Sequence, residues 1–170
     1  MTTHSKIVIS CGAMIVAMAA GRSAAPSAAE ANAAVQGVWR TLEVVVPGAT
    51  ARTFKPEATL AIFHGRHYSR VEVHAEQPRP LLGNPADASA DQLRAVWGPF
   101  VAEAGTFELS GSNVITMRAT VAKNPAAMRD GASSVYTYRR QGVTLTLTEV
   151  RSPAAGPSAQ PITITLSRVE

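Results

Sequence analysis

Residues 134–150 read Ser-Val-Tyr-Thr-Tyr-Arg-Arg-Gln-Gly-Val-Thr-Leu-Thr-Leu-Thr-Glu-Val. Two runs of alternating character flank Gln141-Gly142. Tyr136 and Tyr138 share one face of the first run, and Leu145 and Leu147 oppose Thr144, Thr146 and Thr148 in the second. Side chains along a strand point alternately to its two faces, so period-two alternation marks a sheet with two different faces. A glycine at the break between two such runs marks a hairpin turn. Ser134 to Arg140 and Val143 to Val150 are therefore expected to be neighbouring antiparallel strands.

The pattern extends outward from this hairpin. A polar loop with Pro153, Gly156, Pro157 and Pro161 leads to a last strand over Ile162 to Val169, where Ile162, Ile164 and Leu166 oppose Thr163, Thr165 and Ser167. Upstream, Val114 to Val121 and Thr106 to Leu109 read as strands joined by Ser110-Gly111-Ser112-Asn113, which carries turn chemistry. Asn124-Pro125 to Gly131 reads as a loop with one helical turn. Nearer the N-terminus, residues 38–46, Thr59 to His64 and His67 to His74 read as strands, with a tight connection at Gly65-Arg66 and a polar loop over residues 49–57. That makes eight strands with mostly short connections, which favours antiparallel neighbours. Eight such strands can close into a barrel and abolish exposed edges.

One helix interrupts them. Asp87 or Ser89 can cap it, and Leu93, Val96, Trp97, Phe100 and Val101 fall on one helical stripe near residues 88–101. Gly98-Pro99 should end or kink it, because proline lacks the backbone donor. The stripe is read either as a lid over one barrel mouth or as ordinary core closing the barrel end.

The chain has 170 residues, enough for one domain. His4 and Lys6 precede a nearly unbroken apolar run from Ile7 to Ala20, and small residues with a cleavage pattern at Ser23-Ala24-Ala25 follow. This is a signal-peptide pattern, and the 14-residue run is shorter than the ~20 residues of a spanning helix. The expected organisation is a signal peptide over 1–25, a flexible tether over 26–34 and a barrel over 35–170, giving a secreted or periplasmic protein with no membrane span after cleavage. Cys11, the only cysteine, lies inside the leader, so the exported chain would rely on its core without disulfides or thiolate zinc. Removal of Lys6 and Arg22 would leave 14 basic against 12 acidic side chains, a net of +2 with the charges interspersed. Nucleic-acid binding needs a basic stripe, and none is visible.

Several segments together resemble the lipocalin-like domain family of small bacterial and fungal barrels. They are Gly37-Val38-Trp39-Arg40, His67-Tyr68-Ser69, Pro78-Arg79-Pro80, Ala95 through Gly105 (AVWGPFVAEAG), Ala122 to Met128 (AKNPAAM), Leu145-Thr146-Leu147-Thr148 and the terminal Leu166-Ser167-Arg168-Val169-Glu170. The resemblance covers residues 35 to 170 and implies a calycin-type, up-and-down barrel. It implies little chemistry, since fold does not fix function. It also implies a structural pairing: Trp39 packs across the closed end beneath Arg168, a cation–π contact of about 0.5–2 kcal/mol.

No catalytic machinery is evident. The serines form no Gly-x-Ser-x-Gly elbow, and no Walker or Gly-x-Gly-x-x-Gly loop is present. His67 and His74 lie seven apart and point to opposite faces of one strand, so no metal site or other cofactor is expected. The candidate lining of a ligand cavity is Tyr68, Arg70, Arg118, Tyr136 and Tyr138, with Trp97 and Phe100 from the helix stripe. For residues 67–74 the valines are the more obvious core, so Tyr68, Arg70 and Glu72 are expected to face outward; the alternative turns them inward. An ion pair from Arg70 or Arg118 to Glu72 or Glu108 inside the barrel is a third arrangement. The leading functional expectation is an exported barrel that binds a small hydrophobic or amphipathic molecule. The alternatives are a small-barrel isomerase, cyclase or hydrolase, and a filled barrel serving as an interaction module.

Overall fold

A computed structural model describes residues 28–153 and 155–170. The expected signal peptide, its expected cleavage site and Cys11 lie outside the described residues. The chain runs α1 (Ala28–Val35), β1 (Gly37–Val46), β2 (Arg52–Phe54), β3 (Ala58–His64), β4 (His67–Val73), α2 (Ala90–Trp97), β5 (Phe100–Ser110), β6 (Val114–Ala122), β7 (Ser134–Gln141), β8 (Thr144–Ser152), β9 (Gly156–Pro157) and β10 (Thr163–Arg168). Single 3-10 turns, Pro85–Asp87 and Pro125–Met128, precede α2 and β7, each capped by an asparagine side chain.

Eight strands close a barrel in the order β1-β3-β4-β5-β6-β7-β8-β10, and β10 returns to β1. Every pairing is antiparallel. The first and last strands pair from Trp39↔Arg168 to Val45↔Thr163. The remaining strands, β2 and β9, are short side ribbons on the ends of β1 and β8. Within the β7–β8 hairpin Gln141 pairs with Thr144, so the turn is Gly142-Val143. Gly142 adopts φ 58°, and a glycine at the first position of a two-residue hairpin fits the right-handed twist of the strands.

β1 divides its pairing. Gly37 to Trp39 pair with β3, whereas Val44 to Val46 pair with β2. Where the ladder forks, the Thr41 amide donates to Thr59 Oγ1 at 2.7 Å, so the backbone donor stays satisfied. Phe54 on β2 is buried, although its segment reads as a polar loop.

One half of the barrel is filled. Trp39, Phe63, Tyr68, Phe107, Ile115, Met117, Tyr138, Leu145 and Leu166 interdigitate there. Phe63 meets the Phe107 ring edge-on at 5.4 Å, an arrangement that adds to simple area burial. α1 plugs this end with Val35, which is fully buried. The helix's last carbonyls need partners in the absence of a continuing turn. Trp39 Nε1 donates to Val35 O at 2.8 Å, and Arg140 donates to the carbonyls of Ala33 and Ala34 at 3.1 Å each. Most of the stretch read as a tether is thus helical and sealed against the barrel.

α2 is shorter than its apolar stripe suggests. Ser89 and Gln92 close a reciprocal capping box at its start. It ends at Trp97, and Phe100 and Val101 belong to β5. None of its residues is buried, so it is neither the core plug nor part of one.

Candidate functional site

The other half of the barrel is open. Its inward positions lie at the C-terminal ends of β1, β4, β6 and β8 and the N-terminal ends of β3, β5, β7 and β10. Two chambers meet there. The larger, about 550 Å3, is lined by Phe100, Val101, Ala127, Pro125 and Ser134 together with Arg70, Glu103, Tyr136 and Glu149. The smaller, about 260 Å3, is lined by Val44, Phe54, Ile162 and Ile164, again with Arg70, Tyr136 and Glu149. Arg70, Tyr136 and Glu149 border both.

Strand parity explains the polar lining, whereas Phe100 has the outward parity of Ala102 and Val71, packs on Trp97 and borders the larger chamber from the start of its strand. On β4, Tyr68, Arg70 and Glu72 alternate and point inward, and Glu72 is only 2 % exposed. This corrects the expectation that they face solvent: Val71 is the outward residue, 43 % exposed. Tyr136 and Tyr138 point inward from β7. On β8 Glu149 continues the parity of Leu145 and Leu147 as far as an irregularity in register at Val135/Tyr136.

Arg70 and Glu103 are register partners on β4 and β5, with Nε and Oε1 3.0 Å apart. The approach is out of line, so Arg70 Nε has no hydrogen-bond partner among the described residues. Tyr68 donates its hydroxyl to the same Glu103 oxygen at 3.3 Å. Burial opposes the Arg70 charge, but the Glu72 and Glu103 carboxylates beside it keep the guanidinium protonated. Glu72 lies deeper. Its Oε2 is 2.6 Å from His74 Nε2, and its Oε1 accepts from Thr41 Oγ1 at 3.4 Å. Burial pushes the Glu72 carboxyl up, but the His74 bond, the Arg70 charge and the Thr41 hydroxyl together hold it below its usual range.

Glu149 differs. Burial raises its pKa, and contributions from Ser158 and Arg70 only partly offset that. Burial likewise raises both Tyr68 and Tyr136, so both are neutral phenols at neutral pH.

Of the seven residues read as cavity lining, Arg70, Phe100 and Tyr136 border the chambers. Tyr68 and Tyr138 are buried and inward but border neither chamber. Trp97 is 50 % exposed on the rim, edge-on to Phe100 at 5.9 Å. Arg118 is on the outer surface, where it and Arg66 both approach Glu108 at 3.4 Å. The interior ion pair therefore joins Arg70 to Glu103, not Arg118 to Glu108. An enzymatic reading needs a buried ionisable side chain in a pocket; Glu72 is buried and Arg70 half-buried, whereas Glu108 and Arg118 are exposed.

Glu103 and Glu149 were not singled out from sequence. Glu103 stands directly between an apolar helical stripe and a strand, and Glu149 continues the Leu145, Leu147 parity, which is the signal that could have found it. Trp39 and Arg168 stand where the resemblance implies, with the guanidinium carbon 5.5 Å from the ring centroid. Arg140 adds a second cation 5.7 Å from the same ring.

Among the described residues no cluster of three or more His, Cys, Asp or Glu stands close enough to hold a metal ion. Among them too, no helix is long and apolar enough to cross a membrane. No model of a known protein family matches the chain, and no curated protein matches it either.

Proposed function

We propose that this protein is an exported, lipocalin-like barrel that binds a small hydrophobic or amphipathic molecule in its open half. The observation that carries the reading is the pair of chambers, about 550 and 260 Å3, joined around Arg70 and Tyr136. Ligand pockets typically span about 300–1,000 Å3 and combine apolar walls with a few placed polar groups. Val44, Phe54, Phe100, Ile162 and Ile164 supply the walls, and the Arg70 layer supplies the polar groups. Export is supported by the apolar run Ile7 to Ala20 and the small residues after it. Kinship with lipocalin-like domains rests on the segments from Gly37 to Glu170 quoted above.

Native mass spectrometry of protein isolated from its own host tests this. A retained small apolar molecule, lost on denaturation, is expected. A bare polypeptide mass, together with no uptake of added apolar compounds, would overturn the reading.

One observation favours a second reading, an interaction module. On the outer face, Leu60 pairs with Val71, and Val71 with Ala102; alongside them Ala104 pairs with Val121. Leu60, Val71 and Val121 are 45 %, 43 % and 61 % exposed. Contiguous exposed apolar surface often marks contact with another molecule.

A further inference from the structure

Beside the chambers stands a buried hydrogen-bond donor, Arg70 Nε, with no partner among the described residues. A guanidinium carries five donors and no acceptor. The Tyr136 side chain is 4 % exposed and borders the same space, and burial keeps its hydroxyl a neutral phenol that can donate. Leaving a buried donor unmade is costly, the more so for a charged group. Both side chains border both chambers, so an acceptor brought by a ligand can approach the Tyr136 hydroxyl and the terminal guanidinium nitrogens of Arg70 from either, while Nε itself is enclosed.

Charge decides what kind of acceptor. Glu103 already stands 3.0 Å from Arg70, and Glu72 acts on the same guanidinium. Glu149 faces the same space. The other basic side chains bordering the chambers are engaged elsewhere: Lys123 Nζ donates to the carbonyls of Trp97, Gly98 and Phe100, Arg52 lies over the Phe54 ring at 5.0 Å, and His74 Nε2 stands 2.6 Å from Glu72 Oε2. Arg70 is therefore short of hydrogen-bond acceptors but not of negative charge. A ligand carboxylate would meet Glu103 and Glu149 in a poorly solvated space, and like charges there repel strongly. An uncharged oxygen accepts the same bonds without that repulsion.

Resting on the binding reading above, we propose that the ligand is an uncharged, carbonyl-bearing apolar molecule, an ester, ketone, lactone or amide, whose carbonyl oxygen accepts from the Tyr136 hydroxyl and the Arg70 guanidinium. Its hydrocarbon portion lies along Phe100 and Val101 in the larger chamber or Phe54 and Ile164 in the smaller.

Three probes of equal chain length separate the cases: decane, methyl decanoate and decanoate, each competing with an environment-sensitive dye on the wild-type protein and on Tyr136→Phe at neutral pH. Methyl decanoate is expected to bind wild type about tenfold more tightly than either of the others, the scale of one well-made hydrogen bond. Tyr136→Phe should remove most of that tenfold advantage and leave decane unchanged. If decane and methyl decanoate bind equally, or decanoate binds most tightly, the carbonyl assignment is overturned while the binding reading stands. If none of the three binds, the binding reading falls and the assignment with it. Should Tyr136→Phe fail to fold, the wild-type ranking decides alone.

Discussion

Arg168 of β10 stands directly across the ladder from Trp39 of β1, its guanidinium carbon 5.5 Å from the indole ring centroid. The same guanidinium donates to Gln36 O at 2.5 Å and to Glu170 O at 2.8 Å. One side chain thus ties the last strand to the first and to the end of α1. Arg168→Met keeps the aliphatic stem but loses these bonds and the cation. It should cost about 2–4 kcal/mol, from a cation–π contact and charged hydrogen bonds together. Denaturant unfolding at neutral pH measures it. A change within about 0.5 kcal/mol would show that closure does not depend on this contact.

Gly105 sits where β5 crosses β6 at an irregularity in register. A Cβ there would lie 1.9 Å from the backbone carbonyl oxygen of Arg118. Backbone cannot swing aside as a flexible side chain can, so Gly105→Ala should cost at least about 1–3 kcal/mol, the range of overpacked sites. A thermal melt equal to wild type would contradict the close approach of these strands.

Much of this barrel is readable from alternation. The hairpin around Gln141-Gly142 and the strand ending at Arg168 carry apolar residues on one parity and threonines on the other, and both fold that way. Alternation misleads on β4 because both its faces are mixed. Val71 lies on an outer face that is itself apolar, beside Leu60, while the inward Tyr68, Arg70 and Glu72 are polar groups whose partners, Glu103, His74 and Thr41, sit on other strands or at the strand end. Such pairing depends on register, which a single strand does not carry. The same holds for β2: three residues, with Phe54 as their one buried side chain, make no periodic pattern. α1 is legible only through what caps it, since its Ala-rich sequence reads equally as a tether.

Glu72 makes the barrel acid-sensitive. Its folded pKa is depressed, so its contribution to stability is present above the unfolded carboxyl value of about 4.3 and is lost as pH falls through the folded value. Glu72→Gln should be less stable than wild type at pH 7 by about 1–3 kcal/mol, with the gap narrowing as both are taken below pH ~4. Melting temperatures across that range check it. A gap that stays constant would show that the Glu72–His74 pair adds nothing through its charge.

Glu149 has the opposite sign. Burial raises its folded pKa, so the folded state is favoured while the carboxyl is protonated and loses stability as pH rises through the folded value. Glu149→Gln should therefore melt higher than wild type at pH 7 and equal to it below pH ~4. A lower melting temperature at pH 7 would mean that its interaction with Arg70 outweighs desolvation.

The central claim is that the open half of the barrel is a binding chamber, distinct from the filled half and from the apolar outer face. Backbone and methyl NMR shifts during titration with methyl decanoate test it most directly. The expected result is saturable shifts at Val44, Phe54, Val101, Tyr136 and Ile164, with Ile115, Leu145 and Leu166 in the filled half unmoved. Shifts confined to Leu60, Val71 and Val121, or none at all, would contradict it.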